Sequence, residues 1–193
     1  MGARTDTRKK MLLSTVDLLR ERGAAGVTVD AILARGQSPR GSVYYHFPGG
    51  RTEIMTESLA MAGDAIGAII ESSATEGPVS ALRRFGAFWS KSLHDSDFRA
   101  GCPVVSVAVG GSTDDQQLRP IVAEIFARWH RALVDALVAD GIGEDRAGRL
   151  ATMAVAAIEG AVILCRVEQS TRPLDEVIVE LESLIGSNPK PQR

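Results

Sequence analysis

The sequence predicts an all-α protein, with a small N-terminal head of three helices followed by a larger helical body. Three observations carry that prediction. Apolar residues recur at spacings of three and four along most of the chain, and period-two alternation is nowhere sustained. Aromatic residues make up only 5% of a chain that is 45% hydrophobic. With 193 residues, the chain can bury a core either as one large domain or as a small domain packed on a larger one. The expected division is a head over residues 1–50 and a body over 51–193.

The first helix is expected over residues 5–22. Leu12, Val16 and Leu19 form its apolar stripe, Leu13 and Leu18 widen it, and Gly23 ends it. Thr28 is a natural N-cap for a short second helix, with Asp30 near the positive end and Val29, Ile32 and Leu33 on one face. In the segment Arg35-Gly36-Gln37-Ser38-Pro39, Gly36 suits the turn, Ser38 an N-cap and Pro39 a first helical position. A third helix is therefore expected over 39–47, stopped by Pro48-Gly49-Gly50. Two short helices joined by a tight turn and backed by a longer one make a helix-turn-helix.

The body begins with a long helix over about 51–73, carrying Ile54, Leu59, Met61, Ile66, Ile69 and Ile70, and breaks at Glu76-Gly77-Pro78. A helix over 79–93 holds Leu82, Phe85, Phe88 and Trp89, and a short apolar piece over 102–109 closes at Gly110-Gly111. Helices are further expected over 116–139, over an alanine-rich stretch at 144–168, and over 173–185, with a frayed tail at 188–193.

The formal net charge of −2 conceals an asymmetry: residues 1–51 carry +5 and the remainder −7. A basic head on an acidic body fits a polyanion-binding module joined to a different one, although chance clustering on solvated faces gives the same numbers. Cys102 and Cys165 lie far apart and read as reduced thiols of a cytoplasmic protein. No signal peptide is evident. The most apolar stretch, 150–165, contains Thr152 and Glu159 and is short for a membrane span, so no membrane partner is expected. His46, His94 and His130 form no metal-ligand pair, and nucleotide-binding and nucleophile-elbow motifs are missing. The sequence thus predicts no metal, no cofactor and no enzyme.

The informative stretch runs from Thr28 to Phe47. On the third helix Val43 and Phe47 are four apart and face the first helix, which turns Arg40, Ser42 and Tyr45 outward. The Arg40 guanidinium suits a guanine edge or a phosphate. Gly41 leaves the backbone bare for close approach, at a helix cost of roughly 1 kcal/mol. Ser42, Tyr44, Tyr45 and His46 offer donors to phosphate oxygens, and Arg51 stands at the start of the next helix, where it could pin a flanking phosphate. Read one at a time, these residues are equally compatible with core, a half-buried histidine and ordinary surface charge. Their concentration on one short, bounded helix is the stronger signal.

At this point the chain resembles a known family. Gly41-Ser42-Val43-Tyr44-Tyr45-His46-Phe47, preceded by Thr28 and the Ile32-Leu33 pair, looks like the DNA-binding head of the TetR family, over about residues 5–55. The wording from Pro39 to Arg51, with Phe98-Arg99-Ala100-Gly101-Cys102-Pro103 in the body, is similar to the LmrA/YxaF-like subgroup. The resemblance implies a transcriptional regulator, in most cases a repressor, that binds a pseudo-palindromic double-stranded DNA operator as a homodimer. It places a phosphate contact on Thr28, base reading around Arg40, Gly41 and Ser42, and backbone or flanking contacts on Tyr44, Tyr45 and His46; Ser38 and Arg51 complete the candidate DNA-binding set. The chain departs from the family at Gly36-Gln37-Ser38-Pro39, where the glycine comes one position early for the usual turn. It departs again at Gly49-Gly50-Arg51, where the family often has a lysine three residues after the phenylalanine.

The resemblance further implies that the body binds a small apolar or aromatic effector and dimerises through its last two long helices. Phe85, Phe88, Trp89, Trp129 and Met153 gather most of the body's large aromatic and soft side chains, and the segment around Cys102 and Val105 could line a cavity. Plain core is the alternative. Ala154, Ala157, Ile158 and Ala161, with Val177, Leu181 and Leu184, are the candidate dimer interface, an intrachain helix contact being the alternative. A DNA-binding protein whose body only dimerises is the other functional reading.

Overall fold

The computed structural model describes residues 2–72, 77–110 and 113–186, all of them helix, turn or irregular structure and none of them strand. The helices are α1 (Gly2–Arg22), α2 (Val29–Gly36), α3 (Ser42–His46), α4 (Gly50–Glu71) and α5 (Pro78–Asp95), followed by α6 (Pro103–Ala108), α7 (Arg119–Ala139), α8 (Glu144–Glu168) and α9 (Arg172–Gly186). Short 3-10 turns cover Ala24–Gly26 and Thr113–Leu118. The all-α expectation holds. The expected end of the long helix at residue 73, Glu76 of the following break, Gly111 and the tail at 188–193 lie outside the described residues.

Packing groups the chain differently from a single cut at residue 50. One compact unit is residues 1–64 with 102–125, and the other is 65–101 with 126–193. Helices α4 and α7 therefore each contribute to both. The short α6 belongs with the head, packed on α1 with Val104 and Val107 buried. Its apolar sequence is explained by that burial.

In the first unit α1 buries Met11, Leu12, Ser14, Thr15, Leu18 and Leu19, whereas Leu13 is exposed and Val16 half-buried. The stripe is turned from the expected one, and Thr15 is accommodated on it because its Oγ1 donates to the Met11 carbonyl at 2.9 Å. Thr28 caps α2 as predicted, its side chain accepting from the Ala31 N–H at 3.1 Å. Arg35 then ties α2 to α1 through two bonds to the Glu21 carboxylate, at 2.9 and 2.6 Å.

In the second unit α9 packs on α8 and on α5. Gly86 lets α5 and α9 come close: a Cβ there would stand 3.1 Å from Ile178 Cγ1. Arg83 and Glu182 join the same two helices by a bidentate pair at 2.7 and 2.8 Å. That hydrogen bond, more than the Coulomb attraction, holds the Glu182 carboxyl below its ordinary range. Trp89, Leu93, Trp129, Leu174 and Cys165 are buried.

Candidate nucleic-acid interface and apolar cavity

The recognition segment is shorter than predicted. Helix α3 starts at Ser42 with Gly41 as N-cap, so Pro39 is not a first helical position and Ser38 is not the cap. Ser38 Oγ instead donates back to the Gly36 carbonyl at 3.1 Å, and the Pro39 carbonyl accepts both the Ser42 N–H and the Ser42 hydroxyl, at 3.0 and 2.5 Å. Residues 39–42 form a turn that leads into α3. Ser-Pro signals a turn as readily as a helix start, and the local hydrogen bonds decide for the turn.

The early glycine has a packing reason. Gly36 is the last residue of α2, and a Cβ there would lie 3.2 Å from Ser14 Oγ of α1. The left-handed position falls one residue later on Gln37, at φ 48° and ψ 43°, whose N–H closes onto the Leu33 carbonyl. The second departure also has a conformational basis. Gly50 sits at φ 62°, with Tyr44 Cε1 3.4 Å from where its Cβ would be, and the Gly49 N–H is bound by Glu53 Oε2 at 2.7 Å. The paired glycines turn the chain sharply out of α3 and let Tyr44 lie over the bend.

Val43 and Phe47 are fully buried and anchor α3, with the Arg8 guanidinium 4.6 Å from the Phe47 ring centroid. The other side of the helix is open. Tyr44 and Tyr45 are 66% and 59% exposed, Thr28, Arg40 and Gly41 are exposed, and Ser38, Ser42 and His46 are half-buried. The Tyr45 and His46 rings meet edge to face at 5.0 Å. Arg40 lies 3.5 Å from Asp30, with both side chains strongly exposed, an ion pair that water and salt screen. An anion of higher charge density can displace Asp30 at little cost.

Arg51 is placed otherwise than the sequence suggests. Its guanidinium donates to the Val27 carbonyl at 2.5 Å, to the Ala24 carbonyl at 2.9 Å and to Asp115 Oδ1 at 2.7 Å. Asp115 is buried. Arg51 thus fastens the loop before α2 to the segment before α7. The sequence signal for this role is weak, because the partner is sixty-four positions away and most surface arginines look alike in one dimension.

The second unit contains an apolar cavity of about 70 Å3. That is several times the roughly 10–15 Å3 that one water needs. Of the expected ligand residues Phe85 and Trp129 line it, whereas Phe88, Trp89, Met153, Cys102 and Val105 do not. Trp89 is core behind Phe85, Phe88 and Met153 are partly exposed, and Cys102 belongs to the buried base of α6 in the other unit. Ala154, Ile158 and Leu181, expected at a dimer interface, are on the cavity wall, and Ala161 is buried within the unit. Ala157 and Val177 are half-buried and Leu184 is partly exposed. Sequence reasoning missed Ile69, Ile70, Leu133, Val155 and Glu159 as lining residues. The signal for Glu159 was there, as a lone carboxylate in the middle of an alanine-rich helix.

Helix α8 is apolar on two sides. One side faces the cavity and the unit's core. The other carries Met153, Ala156, Ile163, Leu164 and Val167 at helical spacing, all exposed, with Val167 at 77%. This double character is why α8 is long and apolar enough by composition to cross a membrane although it packs against α5 and α9.

Comparison with known proteins agrees with this architecture. Residues 78–180 match the family model described as "Transcriptional regulator LmrA/YxaF-like, C-terminal domain". The chain is 38% identical over 183 residues to an uncharacterized HTH-type transcriptional regulator of Mycobacterium tuberculosis (strain H37Rv), covering 92% of this chain and 93% of that one. It is 25% identical to the HTH-type transcriptional repressor DhaR of a Mycobacterium species, covering 96% of each. Among solved structures, a regulatory protein TetR from Rhodobacter sphaeroides superposes with a TM-score of 0.80 at 19% identity, covering 91% of this chain and 96% of that one.

Proposed function

The chain belongs to the TetR family of HTH-type transcriptional regulators, in its LmrA/YxaF-like group, and from that premise we propose that it is a ligand-released repressor acting as a cytoplasmic homodimer. The observation that carries the reading is the open side of α3. A five-residue helix pinned by buried Val43 and Phe47 presents Arg40, Ser42, Tyr44, Tyr45 and His46 beside the capped start of α2 at Thr28. Arg40 and Ser42 read base edges, while Thr28, Tyr44, Tyr45 and His46 hold phosphates. Ser38 and Gly41 shape the approach. Arg51, engaged inside the head, acts by holding the motif and not by touching DNA.

The exposed stripe of α8 supports the dimer. Met153, Ala156, Ile163, Leu164 and Val167 would leave an apolar patch in water on a lone chain, and Gly160 on the same helix has open space where a side chain would be. Two copies related by a two-fold axis cover it with the same residues from each. The resulting pair of heads meets two half-sites, so the operator is a pseudo-palindrome.

The cavity supports the effector. Ile69 and Ile70 at the end of α4 line it, while Ile54, Met55 and Leu59 earlier in α4 are buried in the unit that carries α3. A bound apolar molecule acts through α4 by the difference in its affinity for the DNA-competent and released states. The family name of DhaR as a repressor supports repression over activation. The test is a gel shift on the DNA upstream of the protein's own gene at several salt concentrations. A discrete, dimer-sized complex whose log affinity falls steeply with log salt is expected; weak binding that is indifferent to sequence would refute the reading.

A further inference from the structure

We infer that Arg51 is a positioning residue for DNA binding: anchored by Asp115, it fixes the peptide that leads into Thr28 and so aims that threonine's two donors at one phosphate. This deepens the docking reading above and rests on its phosphate contact at Thr28. The Arg51 Nε–H donates to the Val27 carbonyl at 2.5 Å and Nη2 to the Ala24 carbonyl at 2.9 Å. These carbonyls bracket the short turn that runs straight into Thr28. The Ala24 carbonyl also accepts the Val27 N–H at 3.1 Å, which closes the turn on itself. The remaining arm, Nη1, is held by Asp115 Oδ1 at 2.7 Å, and Asp115 is buried. Beside it Gln117 Nε2 donates to Thr52 Oγ1 at 3.0 Å, so the start of α4 is tied to the 113–118 segment twice.

The Val27 carbonyl belongs to the peptide unit whose N–H is that of Thr28. That peptide is trans, so its N–H points away from its carbonyl and therefore away from Arg51. No described residue accepts the Thr28 N–H. The side chain supplies a second donor. Its oxygen accepts from the Ala31 N–H at 3.1 Å, which leaves the hydroxyl hydrogen for a partner outside the protein. Thr28 itself is exposed. Rotating the Val27–Thr28 peptide would swing the N–H out of register with the hydroxyl, and the Arg51 bond opposes that rotation. The shape of the guanidinium matters here more than its charge, which Asp115 balances. Its rigid fork meets three acceptors at once, and a lysine ammonium has no counterpart of the fixed Nε–H.

The experiment uses the full chain and a fluorescent duplex from the DNA upstream of its own gene, with affinity read by anisotropy at several salt concentrations. Four proteins are compared: wild type, Thr28→Ala, Arg51→Met paired with Asp115→Leu, and all three substitutions together. Thr28→Ala and the paired variant are each expected to weaken binding about tenfold, as for a lost hydrogen bond to a charged group. The triple variant is expected to bind within about twofold of the paired one, because both changes remove the same contact. Arg51→Lys keeps the charge and Asp115 but is expected to match the paired variant, and it makes the same comparison with Thr28→Ala where the paired variant does not fold. A further loss of about tenfold in the triple variant, or wild-type affinity in the folded paired variant, overturns the positioning role and leaves the Thr28 contact standing. A salt slope lowered by about one in the paired variant assigns Arg51 to a phosphate directly and also overturns it. Wild-type affinity in Thr28→Ala overturns the contact and the positioning role together, and failure of the wild type to bind overturns the docking reading with them.

Discussion

Gln37 holds a backbone conformation, φ 48° and ψ 43°, that glycine adopts at far lower cost. Gln37→Gly is therefore expected to stabilise the protein by about 0.5–1 kcal/mol, after the extra freedom it gives the unfolded chain. Thermal melting reads this as a rise of roughly 2 °C for a chain of this length, and a fall would mean that the Gln37 side chain makes a contribution its exposure does not suggest. On the proposed docking, Arg40 and Tyr45 separate reading from holding. Arg40→Ala should flatten the difference between operator and mutated operator, whereas Tyr45→Phe should weaken all sites evenly. Gel shifts on both DNAs distinguish the two, and unchanged specificity in Arg40→Ala would displace α3 from the groove. The two cysteines give a third check. Both are buried, and burial pushes the Cys165 thiol up from its ordinary range. The native protein should resist alkylation at pH 7.5 and react at both cysteines once unfolded.

Among elements, the loop before α2 depends on a side chain from the start of α4. Arg51→Met removes three hydrogen bonds and leaves Asp115 buried without its cation, a loss of about 3 kcal/mol by analogy with other broken buried pairs. Chemical denaturation checks the value, and Arg51→Met with Asp115→Leu should recover most of it. A phosphate-binding Arg51 would instead leave stability alone and lower the salt slope of DNA binding by about one. The elements themselves were largely legible in one dimension. Thr28 as a cap, Gly77-Pro78 as a break and the long spacing of apolar residues in α7 and α8 are local signals, and local hydrogen bonds settle them. The start of α3 was not, because Ser38-Pro39 fits a turn and a cap equally well. The division of α8 was not, because small apolar residues on two faces of one helix carry no mark of which face lines a cavity and which stays exposed. The position of α6 beneath α1 was invisible for a related reason: an apolar hexamer suits any core.

At the scale of the whole molecule, the proposed dimer makes association and DNA binding stand or fall together. Leu164→Glu puts a charge on the exposed stripe of α8, away from the residues that line the cavity. The variant should sediment as a monomer, keep its helical circular dichroism, and lose operator affinity by about a hundredfold or more, since two half-sites are then bound independently. A dimeric Leu164→Glu variant would move the interface elsewhere. Helix α8 has one last implication, for divergence among relatives. Ala154, Val155, Ile158 and Glu159 on the cavity wall alternate with Met153, Ala156 and Gly160 on the outer stripe. On the proposed roles of the cavity and the stripe, a lineage that acquires a new inducer through α8 changes residues flanked on both sides by those that would choose its mating chain. Drift in ligand taste and insulation from sister regulators in the same cell would then be inherited through one short run of codons, so duplicated copies could part in both respects within a few substitutions.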